Sequence, residues 1–330
     1  MPRTTFAIPC RNGAAHLPAL LASLRAQSRP AAAIVLVDDA STDDSVALAR
    51  RHGADDITVL VNDRALGMAA NWNRCAELVR TEFFCLAHMD DVYRPGYLAT
   101  MEDVLASKPE AAFVHCRAAV LDEHDREVAS PIEEYKDRFW KKYDLPPTRG
   151  SFAWLWEGNY VICPSVLYRT ATFRALGAFD TSLSFAPDWD FWLRTLLCGH
   201  TIAGVPDRLI AYRRHPRSTT RTQAQNGNRY LEELTVSRRA AEQAAARGWM
   251  PSPPPPSPAV RRNVLVDAFA DLDHHAPAAA AAKIALLRAH APTLARHVSV
   301  LGFRCLSHLG GPGRACLRAG MRWVARRSHA

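Results

Sequence analysis

The sequence predicts an α/β fold, in which helices cover both faces of a mostly parallel β-sheet and a helical appendage follows at the C-terminus. Short apolar runs alternate with stretches of helical periodicity over the first part of the chain. The connections between them are short, as in parallel sheets with helices on both faces. The apolar runs are continuous rather than alternating, which is typical of strands buried on both sides.

The strands are predicted from apolar runs that stop at proline, aspartate or turn residues. The run TTFAI ends at Pro9, and the run AIVLV leads into the pair Asp38-Asp39. A later run, FFCLA, leads into His88-Met89-Asp90-Asp91. In chain order, the predicted strands are residues 4–8, 33–37, 57–61, 83–87, 162–168 and 209–213.

Helices are predicted between the strands. Leu17, Leu20, Leu21 and Leu24 share one helix face, and Pro18 suits a first helical turn. The other predicted helices are 44–51, a stripe at 72–79, the segments that follow Pro95 and Asp188, and 223–248. We expect 125–158, which is charged and aromatic, to be a surface segment, with Trp154, Trp156 and Tyr160 as candidates for stacking against a bound acceptor.

A proline-rich break and a change of charge mark the C-terminal part. The predicted organisation is an α/β domain at 1–225, a helical connection at 226–250, a linker at 251–258 and a basic, Ala-rich helical region at 259–330. No acidic residue follows residue 273, whereas nine basic residues do: Lys283, Arg288, Arg296, Arg304, Arg314, Arg318, Arg322, Arg326 and Arg327.

The nine C-terminal charges exceed the net charge of +8, so residues 1–273 sum to −1. A nucleic-acid-binding face across the body is therefore not expected. The basic region is consistent either with a solvated helix or with a surface that rests on an anionic membrane. With no signal peptide, no spanning run and eight cysteines lacking C-x-x-C spacing, we expect a cytoplasmic protein, with peripheral contact at the inner face of the plasma membrane left open.

Two aspartate pairs are the first candidates for a functional site. Asp38-Asp39 and Asp90-Asp91 both follow predicted strands, and ligands bind beyond the carboxyl ends of parallel strands. Carboxylates suit hard divalent cations, although the first pair could also cap a helix and the second could be a solvated loop. Neither G-x-G-x-x-G nor G-x-x-x-x-G-K-[ST] occurs, which argues against dinucleotide oxidoreductases and P-loop kinases.

A series of motifs, taken in order, resembles the family-2 glycosyltransferases of the GT-A fold. Ile8-Pro9-Cys10-Arg11-Asn12 and Val35–Asp43 are similar to I-P-x-Y-N and V-V-D-D-x-S-x-D, and His88–Pro95 is similar to D-x-D-D-x-x-x-P. Further similar positions are Asn62, Gly67, Asn71–Arg74, Asn159, Pro164-Ser165, Leu176–Asp180, Asp188–Arg194, Tyr212–His215 and Ser218. The resemblance covers about residues 4–220.

The resemblance implies an inverting glycosyltransferase that uses a divalent metal, Mn²⁺ or Mg²⁺. The donor would be a nucleoside-diphosphate sugar, UDP- or dTDP-linked, and the acceptor a glycan or lipid-linked saccharide in bacterial cell-envelope polysaccharide synthesis. Residues 1–115 would form the nucleotide-sugar-binding half of the domain, and residues 116–225 the acceptor side.

The resemblance also implies roles for individual residues. Asp39 matches the position that binds the donor base, Asp90 matches the ligand of metal and diphosphate, and Asp188 matches the catalytic base. His215 and Asp91 are further metal candidates. The implied nucleotide-sugar-binding residues are Pro9, Arg11, Asp39, Arg64, His88 and Asp90.

Three departures from the family pattern leave an alternative open. His88 stands where many members have aspartate, and its imidazole could bind Mn²⁺ or hydrogen-bond the ribose. Pro187 replaces the usual glutamate, and Arg11 the usual tyrosine. The alternative is a catalytically degenerate relative that binds a sugar or a partner. A nucleotidyltransferase is disfavoured because the first strand leads to no Gly-rich loop.

Overall fold

The computed structural model describes residues 2–53, 56–122, 124–129, 139–141, 143–213, 228–255, 257–273 and 276–290. The chain divides into two compact units. The first comprises residues 1–152 and 160–218, and the second comprises residues 153–159 and 219–330. The domain boundaries expected from the sequence stay predictions.

Within the described residues, the first unit carries an eight-stranded sheet in the order β3-β2-β1-β4-β7-β6-β8-β5. The strands are β1 Thr4–Cys10, β2 Ala33–Asp38, β3 Ile57–Val61, β4 Phe83–Leu86, β5 Val92–Tyr93, β6 Ala111–Leu121, β7 Val166–Arg169 and β8 Thr201–Arg213. Strands β1 to β4 are mutually parallel, and β6 is parallel to β8. Only β7 and β5, among the strands of the described residues, are antiparallel to their neighbours. The predicted, mostly parallel sheet is therefore confirmed.

The helices alternate with the strands as predicted in the first part of the chain. They are α1 Leu17–Arg25, α2 Ser45–Gly53, α3 Met68–Leu78, α4 Tyr97–Ser107, α5 Arg149–Glu157, α6 Thr170–Ala175, α7 Pro187–Leu197, α8 Asn228–Ala246, α9 Pro258–Asp273 and α10 Pro277–His290. On β4, Phe83 and Cys85 join the core that includes α1 and α4. Phe84, which points to the opposite face, packs edge-on against Phe173 of α6. Helices thus cover both faces of the sheet.

Three elements in the acceptor-side half differ from the sequence-based expectation. Strand β6 was not predicted, although AAFVHCRAAVL is a nearly continuous apolar run whose His115 and Arg117 break the pattern. Strand β8 begins at Thr201, well before the predicted start at 209. The strand predicted at 162–168 is a 3₁₀ turn at Cys163–Ser165 followed by β7, because Pro164 cannot donate a ladder hydrogen bond.

The aromatic segment at 125–158 is not simply a surface segment. Phe139, Trp140 and Leu145 are buried, and Tyr160, at 0% exposure, packs on the Phe139 and Trp140 rings. The suggestion that Tyr160 stacks against an acceptor sugar is therefore wrong. Residues 123, 130–138 and 142 lie outside the described part of the chain.

The second unit contains the end of α5 and the helices α8 to α10. Trp156 is 4% exposed, and its indole N–H donates to the Ser237 carbonyl at 2.9 Å, so it is a packing residue rather than an acceptor platform. Lys283 pairs with Asp271 at 2.7 Å and is buried, which removes it from the predicted basic surface. The remaining basic residues after position 290 lie outside the described residues. None of the described helices has the length and apolarity needed to cross a membrane.

Candidate active site

The loops after β1 and β2 are joined by a hydrogen-bond network. The Asn12 side-chain oxygen accepts the Thr42 N–H at 2.8 Å, and the Gly13 N–H donates to the Ser45 hydroxyl at 2.8 Å. Asp38 is fully buried and accepts the Ser41 N–H at 2.8 Å. Asp38 therefore has the turn-forming role that the capping interpretation predicts for this residue.

Asp39 sits in a cage of donors at the end of β2. One carboxylate oxygen accepts the Leu66 N–H at 2.7 Å and the Asn62 amide at 3.0 Å. The other oxygen accepts the Gly67 N–H at 3.0 Å. The side chain is only 4% exposed. Asp39 thus fixes the loop between β3 and α3, a role that sequence reasoning did not assign to it.

The remaining predicted donor-site residues lie around Asp39 or in the loop that it holds. The Arg11 guanidinium is 3.6 Å from the Asp39 carboxylate and is half exposed. Pro9 lies in β1 beside β2, since it pairs with Val37. Arg64 is exposed in the loop after β3. Strands β1 and β2 are adjacent and parallel, so their carboxyl ends meet at one edge of the sheet.

His88, Asp90 and Asp91 form a cluster in the loop between β4 and β5, at that same edge. One candidate ligand atom from each residue lies within 4.8 Å of the other two. The Nε2 atom of His88 and the Oδ2 atom of Asp91 are buried and have no hydrogen-bond partner within the described structure. Buried polar atoms without partners are uncommon and costly, and this donor set fits a divalent cation. The three residues could hold such an ion.

Burial and mutual repulsion control the protonation of this cluster. Burial lowers the pKa of His88, and the negative charge of Asp90 opposes this effect. Burial raises the pKa of Asp91 well above its usual range, and the Asp90 charge raises it further. A neutral imidazole with a free lone pair and two carboxylates that repel each other both favour a bound cation.

Arg213, at the end of β8, holds the cluster from the other side and was missed at the sequence level. Its backbone N–H donates to the Oδ1 atom of Asp91 at 3.1 Å, and its Nε donates to the Asp90 carbonyl at 3.0 Å. The guanidinium also pairs with Asp125. The β5–β8 pairing, Val92 with Ala211, brings these residues together. Arg213 follows Tyr212 in the last of the matched motifs, which was the available signal.

Asp188 is the second residue of helix α7, which begins at Pro187 in a first-turn position where proline is favoured. Asp188 is partly exposed, and one of its carboxylate oxygens accepts the Trp189 N–H at 2.7 Å. Asp190, two residues further along, is buried and forms an ion pair with Arg194 at 2.7 Å. Of these two aspartates, Asp188 is therefore the one suited to act on a substrate.

The buried Cys163 thiol lies near both Asp188 and Asp91. Burial, and then the negative charge of Asp188, raise the pKa of the Cys163 thiol, and Asp91 contributes in the same direction. Both carboxylates therefore lie within electrostatic range of one buried sulfur atom. Asp188 and Asp91 thus both lie near Cys163 in the first unit. His215 lies outside the described residues, so its predicted metal role stays a prediction.

The family model described as Glycosyl transferase family 2 matches residues 5–177, which is more than half of the chain. The chain belongs to glycosyltransferase family 2. An uncharacterized Mycobacterium tuberculosis protein is 29% identical, over 76% of this glycosyltransferase and 82% of the relative.

Two solved structures share the fold. Staphylococcus aureus TarS in complex with UDP-GlcNAc is 18% identical with a TM-score of 0.58, over 74% of this chain and 66% of TarS. The Pyrobaculum calidifontis mannosyltransferase PcManGT, in complex with GDP-Man and Mn²⁺, is 18% identical with a TM-score of 0.59, over 98% of this chain and 85% of that one. At this identity the likeness concerns the fold, and the predicted GT-A fold is confirmed.

Proposed function

We propose that this glycosyltransferase is an inverting, metal-dependent enzyme that moves a sugar from a nucleoside-diphosphate donor to a hydroxyl group. The observation that carries the proposal is the cluster of His88, Asp90 and Asp91, in which the buried His88 Nε2 and Asp91 Oδ2 atoms have no hydrogen-bond partner among the described residues. The cluster lies at the carboxyl edge of the sheet, where ligands of such folds bind. The nucleotide-sugar complexes of TarS and PcManGT support the same donor class for this chain.

The donor half of the site would consist of Pro9, Arg11, Asp39, Arg64 and the His88 cluster. Asp39 and the loop that it holds would receive the base, and Arg11 would line the base beside Asp39. Asp90, with Asp91 and His88, would hold the cation, and His215 stays a further candidate. When bound, a divalent cation neutralises negative charge on a diphosphate leaving group. UDP or dTDP is our expectation for the nucleotide.

Asp188 would act as the general base on the acceptor side. Its carboxylate would take the proton of the acceptor hydroxyl as that oxygen attacks the anomeric carbon. The bond from the anomeric carbon to the diphosphate oxygen breaks in the same step, and the diphosphate leaves with the electron pair. One displacement from the face opposite the leaving group inverts the anomeric configuration.

The acceptor we propose is a glycan or lipid-linked saccharide in bacterial envelope polysaccharide synthesis, by family analogy. Such an acceptor accords with action at the inner face of the plasma membrane. The basic C-terminal region, without Lys283, would provide peripheral contact with anionic lipid.

A thermal-shift screen tests the donor site. The protein would be melted with UDP, GDP, dTDP or CMP, each with Mn²⁺, Mg²⁺ or EDTA, and the screen repeated with Asp90→Ala. A ligand that binds only the folded state raises the melting temperature with the logarithm of its excess over Kd. We expect one nucleoside diphosphate to stabilise the protein only with metal, and Asp90→Ala to lose the effect. A cooperatively melting protein that responds to none of them would refute the donor site.

Turnover of the nucleotide sugar distinguishes an active enzyme from the alternative, a catalytically degenerate relative that only binds its ligand. An active enzyme should slowly hydrolyse the nucleotide sugar that stabilises it, with metal and without acceptor, and release the nucleoside diphosphate. A degenerate relative should bind the nucleotide and release nothing above background. Asp90→Ala serves as the background control in the same assay.

A further inference from the structure

The cluster in the loop between β4 and β5 differs in chemistry from an all-carboxylate metal site. It has two carboxylates and one imidazole, from Asp90, Asp91 and His88. A neutral imidazole gives the cluster a formal charge of −2, whereas an aspartate at position 88 would give −3. Hard Mg²⁺ prefers oxygen ligands and retains its waters, whereas transition-metal ions such as Mn²⁺ and Co²⁺ bind an imidazole nitrogen more readily than Mg²⁺ does. The identity of residue 88 should therefore affect which cation binds.

The geometry allows His88 to contribute directly. Two ligands of one ion with bonds of about 2.1 Å can be at most about 4.2 Å apart. The ligand atoms of the cluster lie within 4.8 Å of one another, so small side-chain rotations suffice to close them on an ion. Trp72 packs against the His88 ring, with 5.0 Å between the ring centroids.

The acceptor atoms that would face an ion are the ones left without partners. Asp91 is 1% exposed, and its Oδ1 atom is already occupied by the Arg213 N–H. Its Oδ2 atom and the Nε2 atom of His88 are buried and have no hydrogen-bond partner among the described residues. An imidazole that served only packing would be expected to find a hydrogen-bond partner for a buried nitrogen.

We propose that His88 is a nitrogen ligand of the divalent cation and makes the site prefer Mn²⁺ and Co²⁺ to Mg²⁺. This inference rests on the proposed function, because the cation is the one that serves the nucleotide-sugar donor. It assigns to His88 a role in cation selectivity rather than contact with the ribose. The negative charge of the Asp90 and Asp91 carboxylates attracts any divalent cation, and the His88 imidazole makes the site distinguish Mn²⁺ and Co²⁺ from Mg²⁺.

The decisive measurement is pulsed EPR of protein loaded with Mn²⁺, without added nucleotide and without a polyhistidine tag. A coordinated imidazole gives ¹⁴N modulation of the Mn²⁺ signal. We expect this modulation in the wild type, its loss in His88→Asp and His88→Asn, and its retention in the control His52→Gln, which changes an exposed histidine of α2 outside the site. Two substitutions at position 88 are used so that a folding defect in one does not decide the result, and melting curves check both.

Competition between cations gives the second readout. Free Mn²⁺ is measured by its six-line EPR signal while Mg²⁺ is added. We expect His88→Asp to lower the preference for Mn²⁺ over Mg²⁺ by at least about tenfold, as for a change in the ligand set of a metal site. An unchanged preference, or ¹⁴N modulation that persists without His88, would overturn the inference.

The two proposals fail in different ways. If Mn²⁺ binds, requires Asp90 and strengthens nucleotide binding, but shows no ¹⁴N modulation, His88 is not a ligand and the proposed function stands. If Mn²⁺ does not bind the wild type with any nucleotide, the metal-dependent transferase itself is refuted.

Discussion

Replacing Asp39 should destabilise the first unit as well as weaken donor binding. The Asp39 carboxylate accepts hydrogen bonds from the Leu66 N–H at 2.7 Å and from the Gly67 N–H and the Asn62 amide at 3.0 Å. Its side chain is 4% exposed, so water replaces these bonds poorly when the carboxylate is removed. Asp39→Ala therefore leaves three donors without a buried acceptor.

The expected magnitude follows from the number of donors. A buried donor that loses its acceptor costs about 1–3 kcal/mol. The Asn62 donor is buried and the Leu66 and Gly67 donors are partly buried, so we take about 1 kcal/mol for each and about 3 kcal/mol in total. For a unit of this size, about 2–4 °C of melting temperature corresponds to 1 kcal/mol. Asp39→Ala should therefore lower the melting temperature by about 6–12 °C in the absence of nucleotide.

Asp39→Asn should give a smaller effect. The amide oxygen can replace Oδ1 and accept from Leu66 and Asn62, but the amide NH₂ then faces the Gly67 N–H. One lost acceptor predicts about 1–3 kcal/mol. Asp63→Ala, an exposed change in the same loop, is the matched control and should melt like the wild type. If Asp39→Ala melts together with this control, the cage does not stabilise the loop and the reasoning is wrong.

Three further substitutions separate catalysis, electrostatics and packing. Asp188→Asn should keep metal-dependent nucleotide binding but reduce transfer by about 10²–10⁴-fold, measured as release of nucleoside diphosphate. Asp91→Asn should raise the melting temperature in EDTA at neutral pH. Burial and the Asp90 charge raise the pKa of Asp91, so the folded state is destabilised as pH rises above the unfolded pKa of about 4, and the gain should vanish only below about pH 4. Trp156→Phe removes the indole hydrogen bond to Ser237 and should cost about 1 kcal/mol, measured by chemical denaturation of the full chain.

Much of the sheet was predictable because its first half is encoded locally. Strands β1 to β4 are short apolar runs, each bounded by a turn residue. A helix follows each of β1 to β3, and α4 follows β4 after the two-residue strand β5. The direction of β7 was not predictable in this way. It pairs with both β4 and β6 in antiparallel orientation, through contacts between residues far apart in the sequence. No local pattern in VLYR encodes which neighbours it will find.

In the candidate site, too, features encoded locally were predictable and long-range contacts were not. The aspartates were found because motif order and residue type identify them without coordinates. Their partners were not, because each lies far along the chain: the Arg213 N–H reaches Asp91 across 122 residues, and Asn62 reaches Asp39 across 23. Sequence reasoning therefore located the chemically active groups and missed those that hold them in place.

The departures from the family pattern are accommodated in the structure, and this bears on the choice between an enzyme and a degenerate relative. Pro187 occupies a first-turn position of α7, where it costs no hydrogen bond, and leaves Asp188 at the start of the helix. The Arg11 guanidinium lies 3.6 Å from the Asp39 carboxylate, and the opposite charges of the two groups attract each other. At His88, the buried Nε2 atom has no hydrogen-bond partner among the described residues and belongs to the cluster with Asp90 and Asp91. Buried acceptor atoms without partners cost free energy when no ligand is bound, so their presence in one cluster favours a cation site over a degenerate one.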